Sequence, residues 1–390
     1  MDRKEAHRVY TDHAAACPVD ARVVKAMEPY LLSNIGNPLS IHFLGREARR
    51  ALDEARGHVA ELVNAEASEE IVFMSGATES INLALSGTAQ LLGEKGDHIV
   101  TSQVEHMAVL NTCRHLENAG FKVTRVPVDQ YAMIQPSKIA EAITPQTILV
   151  SIQYANNEVG TIQPVVEIGR ICRDENVPLH VDAVAAEGKM ILDVRRDNIS
   201  LLSLSSNDIY GPRGVGAIYV KEGMPIQPIL QGGGQERGLR SGTENVAGAV
   251  GMGKAAEIAQ AEMPRDVENL GKLRNRLIEG ILGAVDHAYL NGHPRNRLCN
   301  NVNIRFSFIE GESLVLMLDA EGIQASTSSA CTSKTLEPSH VLLAMGVAPR
   351  EAEGALLLTL GRENTVQDIN NVLEKIPAAV KNLRAISPFA

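Results

Sequence analysis

Residues 147–183 read TILVSIQYANNEVGTIQPVVEIGRICRDENVPLHVDA. Residues 147–154 form a near-continuous apolar run, and 179–183 form another. Between them, residues 165–176 place apolar side chains at helical spacing. A strand, a helix and a second strand in this order make a parallel crossover, and strands this apolar are covered on both faces. The pattern repeats outward in both directions. Apolar runs recur at 71–74, 98–102, 201–205 and 217–220, and residues 107–119 are helical in spacing. The chain is therefore expected to be α/β, with a mostly parallel sheet between helices. In such sheets ligands sit beyond the carboxyl ends of the strands, so the residues that follow each run are where chemistry is sought.

After Pro264 the pattern changes. A charged helix is expected at about 265–282, strands near 300–305 and 324–328, and helices near 339–344 and 366–386. These make a smaller α+β unit. The expected division is a large domain at 17–263 and a small one made of 1–16 and 264–390.

The chain has 390 residues, 44% hydrophobic and 22% charged, which is a globular composition. With 3% aromatics and no Trp, its core must be mainly aliphatic. A formal net charge of -10 argues against a nucleic-acid partner. No apolar run approaches the roughly 20 residues of a membrane span. The opening MDRKEAHRVY has no apolar core of a secretory signal. Cys17, Cys113, Cys172, Cys299 and Cys331 are scattered and form no CxxC pair. This usage argues against a disulfide framework or zinc ribbon and leads us to expect a reducing, cytoplasmic setting.

Several segments carry candidate chemistry. Ser75-Gly76-Ala77-Thr78-Glu79-Ser80 follows one run and opens a helix, where free N–H groups suit a phosphate. The same residues also make an ordinary helix cap. Asp182 ends a run and is suited to a protonated ring nitrogen, or to a turn. His106, behind Glu105, is a ligand contact or a cap. Asn156 and Asn157 are ligand contacts or a turn. Gly232–Gly238 with Arg240, Ser241 and Thr243 combines flexible backbone, cations and hydroxyls, which suits an anion or a solvated loop. Cys331 lies in Ser328-Ser-Ala-Cys-Thr-Ser333, a small, hydroxyl-rich stretch of the kind that surrounds reactive thiols.

In order along the chain these segments read SGATES from Ser75, EH at Glu105, NNEVG from Asn156, HVDA from His180, IYGPRGVGA from Ile209, GGGQERGLRSGTEN from Gly232, SSACTS from Ser328, LEPSHVL from Leu336 and GR at Gly361. Together they resemble the NifS/IscS-type cysteine desulfurases, of the class V aminotransferase group of fold-type I pyridoxal-phosphate (PLP) enzymes. In that family a lysine holds PLP as a Schiff base, and a loop cysteine takes sulfur from substrate cysteine and passes it to a partner protein. The resemblance implies that Asp182 faces the pyridine nitrogen and His106 stacks on the ring. It implies that Gly76, Ala77, Thr78 and Ser205 hold the phosphate, with Thr243 reaching the partner subunit's cofactor in a homodimer. Asn156 would meet the ring hydroxyl or substrate. Asn37 and Arg362 would bind the substrate carboxylate, and Cys331 would accept sulfur.

The chain departs from the family pattern around the cofactor. Where the family reads S-G-H-K-I-Y-G-P, the sequence is Ser205-Ser206-Asn207-Asp208-Ile209-Tyr210-Gly211-Pro212. Asp208 stands at the lysine position and Asn207 at the histidine. Ala185 stands where a glutamine is usual, Ala16-Cys17-Pro18 replaces T-T-P, and Leu357 replaces an arginine. A carboxylate forms no Schiff base, and beside Asp182 it adds like charge, worth about 4 kcal/mol at 4 Å in an effective dielectric of 20. PLP is thus expected to bind weakly and non-covalently, or not at all, with Asp208 left as a candidate general base. Lys189 matches an ordinary family position, and Lys334 would reach the ring only by riding the loop inward.

Three functions follow from this. The chain is a persulfide carrier, or shares an iron–sulfur cluster with a scaffold protein through Cys331; or it is a desulfurase using non-covalent PLP; or it is a non-catalytic subunit of an active paralogue.

Overall fold

The structure, a computed structural model, describes residues 8–327 and 338–387. The strands are β1 Val9–Tyr10, β2 Ile71–Met74, β3 His98–Ser102, β4 Lys122–Val126, β5 Thr147–Gln153, β6 Leu179–Asp182, β7 Leu201–Ser205, β8 Gly216–Val220, β9 Ala288–Leu290, β10 Asn301–Phe306, β11 Ile323–Gln324 and β12 Ala355–Thr359. Seven of them form one sheet in the order β2-β8-β7-β6-β5-β3-β4. The pairs from β7 through to β4 are parallel, whereas β8 pairs antiparallel with both β7 and β2. The expected mostly parallel sheet is present.

Both faces of this sheet are covered, which is why its strands read as continuous apolar runs. Along β2, Ile71 and Phe73 enter the core on one face and Val72 and Met74 the core on the other. Along β5, Val150 and Ile152 face the first core and Leu149 the second. A strand with apolar side chains on both faces can be buried only between two layers.

A second core gathers β9, β10 and β12, an antiparallel sheet in the order β12-β10-β9, with the helices Gly311–Ala320 and Val366–Ile386. The N-terminal β1 joins this unit by parallel pairing with β11. The buried members of this core are Val9 and residues after Pro264. The helix expected at 265–282 is much longer, however: it runs from Val246 to Ala284 and passes through Pro264. Its first part packs on the large core through Ala249, Met252 and Ala256, and its last part on the small core through Leu273, Leu277 and Ile281. Burial at both ends outweighs the hydrogen bond that proline forfeits. Where a strand is expected at 324–328, the described residues form the two-residue β11, Ile323–Gln324, followed by a bridge from Ser326 to Leu357.

Candidate active site

The carboxyl ends of β2, β3, β5, β6 and β7 open on one edge of the sheet, because these strands run the same way. The segments that follow them surround a cavity of about 380 Å³. That volume lies in the range of small-ligand sites.

The turn after β2 forms one end. Ser75, Gly76, Ala77 and Thr78 line it. Gly76 has φ +156° and ψ 174°, a conformation open almost only to glycine. A Cβ there would meet nothing within 4 Å, so the backbone faces open space. From below, Gly216 of β8 packs on this turn: a Cβ at 216 would fall 2.7 Å from the Gly76 backbone. Glu79 accepts from the Ser75 N–H at 2.6 Å and from Arg240 Nε at 3.2 Å, which anchors the turn. The result is a backbone cradle open to a phosphate.

The wall formed by β3, β5 and β6 carries His106, Gln153, Asn157 and Asp182. His106 caps the helix Met107–Asn118, and its Nδ1 accepts from Ala108 N at 3.1 Å. Asp182 is buried, with Oδ1 accepting from Val184 N at 3.1 Å. Burial raises its pKa above the usual carboxylate range, and His106 partly offsets this. Behind this wall Glu105 is fully enclosed, bonded to the Ser102 hydroxyl, and burial raises its pKa well above the usual range.

A further part of the lining comes from β7 and the segment after β6, with Ser205 paired to Gly216, the residue that packs on the Gly76 turn. Ala185, Lys189, Ser205, Asn207 and Asp208 form it. Asp208 lies on the single turn Asn207–Ile209; burial raises its pKa, and Lys189 opposes the rise. Lys189 Nζ donates to the Asp208 main-chain oxygen at 3.4 Å. Asn207 Oδ1 accepts from Cys17 N at 3.4 Å. Glu187, fully buried, accepts from Ser205 N at 2.7 Å through Oε1, while its Oε2 has no partner among the described residues. Burial, then the nearby Asp208, raises the Glu187 pKa well above the usual range.

The cavity thus brings together Gly76, Ala77, Thr78, His106, Asp182, Ser205, Asn207 and Asp208. Other candidates stand elsewhere. Asn156 is fully buried: its Nδ2 donates to Val104 O, and its Oδ1 accepts from Glu158 N and Val159 N. Its neighbour Asn157 lines the cavity instead. Arg362 lies behind the Asp208 turn, stacked on Tyr210 at 4.5 Å and bonded through Nε to Asp266 at 2.6 Å. It borders a much smaller cavity shared with Cys17, Lys189 and Asp208. Asn37 and Thr243 are solvent-exposed and away from the cavity of their own chain. Cys331 and Lys334 lie outside the described residues.

Sequence reasoning missed Glu187, although a glutamate among small residues five positions after Asp182 was a visible signal. Lys189, which matches an ordinary family position, lines the cavity. Among the described residues no group of three or more His, Cys, Asp or Glu side chains is arranged to hold a metal ion.

These residues fit a phosphorylated pyridine. The cradle suits its phosphate, Asp182 its ring nitrogen and His106 its face. They do not fit covalent capture of an aldehyde at Asp208, where a carboxylate stands beside a second buried carboxylate, Glu187.

The class-V aminotransferase family model matches residues 9–372. The chain is 53% identical over 380 residues to cysteine desulfurase IscS 1 of Archaeoglobus fulgidus, covering 97% of this chain and 99% of that one. It is 51% identical over 381 residues to cysteine desulfurase IscS of Methanosarcina thermophila, covering 98% and 94%. Among solved structures, a NifS-like protein superposes with a TM-score of 0.91 at 38% identity, covering 97% of this chain and all of that one. Fold, cavity and sequence agree, and the chain belongs to the class-V aminotransferase family, on its NifS/IscS cysteine desulfurase branch.

Proposed function

We propose that this protein works in sulfur mobilisation and iron–sulfur cluster assembly, with Cys331 as persulfide carrier or cluster ligand and with ordinary PLP turnover lost. The observation that carries this reading is Asp208. It lines the cavity at the position of the family lysine and has Glu187 and Asp182 as electrostatic neighbours. When bound, PLP supplies an electron sink for bonds at the substrate Cα. At this wall Asp208 offers a proton acceptor but no amine to release and recapture the group. As a carrier, the Cys331 thiolate would attack the outer sulfur of a donor persulfide, and the donor would leave as a thiol.

A second reading, desulfuration with non-covalent PLP, is favoured by the intact cradle, Asp182, His106 and the cavity-lining Lys189. The experiment that separates them incubates the protein with PLP, L-cysteine and a thiol reductant, and quantifies alanine by mass spectrometry against Cys331→Ala. Alanine at the level of that control supports the carrier. Alanine above it over many turnovers establishes the desulfurase and ends the first reading.

The relatives named cysteine desulfurase support a sulfur-acceptor or scaffold protein as partner. A homodimer would bring the exposed Thr243 loop to a neighbouring cavity. A reducing cytoplasm suits the free thiols of Cys17, Cys113, Cys172 and Cys299. No described helix is long and apolar enough to cross a membrane.

A further inference from the structure

The cavity has two polar regions of different character. At the Ser75–Thr78 turn the backbone is open and suits an anion. Elsewhere Asp182 and Asp208 line the wall, and Glu187 is buried behind Ser205 with Oε2 unpartnered among the described residues. Lys189 is the one Lys or Arg among the described lining residues. It is bonded to the main-chain oxygen of Asp208 and makes no ion pair with that carboxylate among the described residues. A ligand matching both regions carries a phosphate at one and a cation at the other.

The reach of the side chain supports the same match. An aspartate stops about one hydrogen-bond length, ~2.8 Å, short of where a lysine amine ends. A ligand's own ammonium fills that gap and donates to the carboxylate. An aldehyde in the same place sets its oxygen, an acceptor, against an acceptor, with like-signed partial charge.

We propose that the cavity selects pyridoxamine 5′-phosphate, the amine form of the cofactor, and holds it non-covalently with its ammonium on Asp208. This rests on the reading that the cavity keeps its place for a phosphorylated pyridine and has lost the lysine. Glu187, next to Ser205 and an electrostatic neighbour of Asp208, lies beside the same wall. Asn207, whose Nδ2 lies 3.5 Å from Asp208 Oδ2, helps to orient the carboxylate.

The test is calorimetric titration of the full-length protein with pyridoxamine 5′-phosphate, pyridoxine 5′-phosphate and PLP. The three share ring and phosphate and differ at one substituent: ammonium, neutral hydroxyl or aldehyde. A hydrogen bond to a charged group is worth enough to set the amine form about tenfold or more ahead of pyridoxine phosphate. In Asp208→Asn that preference shrinks to about twofold or less, within the reach of a neutral hydrogen bond, while circular dichroism shows the fold retained. In Asp208→Lys the order reverses toward PLP.

Equal affinity for the amine and hydroxyl forms overturns the proposal. So does a preference that survives Asp208→Asn, and so does failure of all three to bind. PLP binding tightest to the unsubstituted protein also overturns it; borohydride reduction with peptide mapping would then show whether Lys189 supplies the amine. The alanine assay judges the carrier reading independently, since loss of turnover and choice of ligand are separate readouts.

Discussion

At the scale of single residues, the strongest determinants around the cavity are buried ionisable groups whose pKa values burial has moved. His180 bridges Ser151 Oγ and Ser203 Oγ at 2.8 and 2.9 Å, and burial lowers its pKa from 6.5 to about 3. The folded imidazole therefore stays neutral while the unfolded one takes a proton near 6.5. Its contribution to stability is complete above that pH and is lost as the pH falls toward 3, at ~1.4 kcal/mol per unit. Urea unfolding at pH 7.5 and 5.0 should show the unsubstituted protein losing about 2 kcal/mol more than His180→Asn. Glu187 has the opposite sign. Its raised pKa favours the folded state at low pH, and that advantage is lost as pH rises above the unfolded carboxylate value of 4.5. Glutamine mimics the protonated form without titrating. Glu187→Gln should therefore gain on the unsubstituted protein as pH rises above 4.5; denaturation midpoints across that range check it. Asp182, Asn207, Asp208 and the Gly76 turn were legible in the sequence because each follows an apolar run within a recognisable motif. Asn156 and Arg362 were harder to read. A motif names a residue type at a position, but which way its side chain turns depends on neighbours such as Val104 and Asp266, distant in sequence.

At the scale of elements, legibility followed burial. β2, β3 and β7 coincide with their apolar runs, and the helix Val366–Ile386 with its periodic stretch. β4 escaped notice because Lys122, Thr124 and Arg125 break its pattern at the sheet edge. The helix through Pro264 was cut short because proline is an ordinary stop signal. Only packing that starts at Val246 overrides it, and that packing is close. A Cβ at Gly253 would stand 2.5 Å from Ala55 Cα and 2.7 Å from Ala55 Cβ of the helix Phe43–Leu62. Gly253→Ala should push these helices apart and cost about 1–3 kcal/mol, despite alanine's better helix propensity. Thermal unfolding measures the loss, and a stabilised variant would show that the helices separate freely.

At the scale of the whole molecule, one surface remains uncovered. Leu31, Leu32, Ile35, Leu39, Ile41 and Phe43 are all exposed, Ile41 at 91%. Large apolar side chains exposed together over one short stretch of chain point to an interface. A second copy seated there would complete the proposed homodimer. Ile41→Asp with Phe43→Asp should then convert a dimer to a monomer in sedimentation velocity; an unchanged dimer would move the interface elsewhere. The change of pattern after Pro264 leads to the expectation of a second, smaller unit. The length of the helix that joins the two cores was not legible.

The pairing of β1 with β11, Val9 opposite Ile323, sets an order in time as well as in space. At usual synthesis rates, on the order of 15–60 s separates the appearance of these two strands at the ribosome. Within that interval the large sheet gains the last of its strands, β8, while β1 still has no partner strand to join. β1 is therefore late to settle, and ribosome-bound chains halted before residue 323 should remain open to protease near Tyr10 while their large sheet resists it.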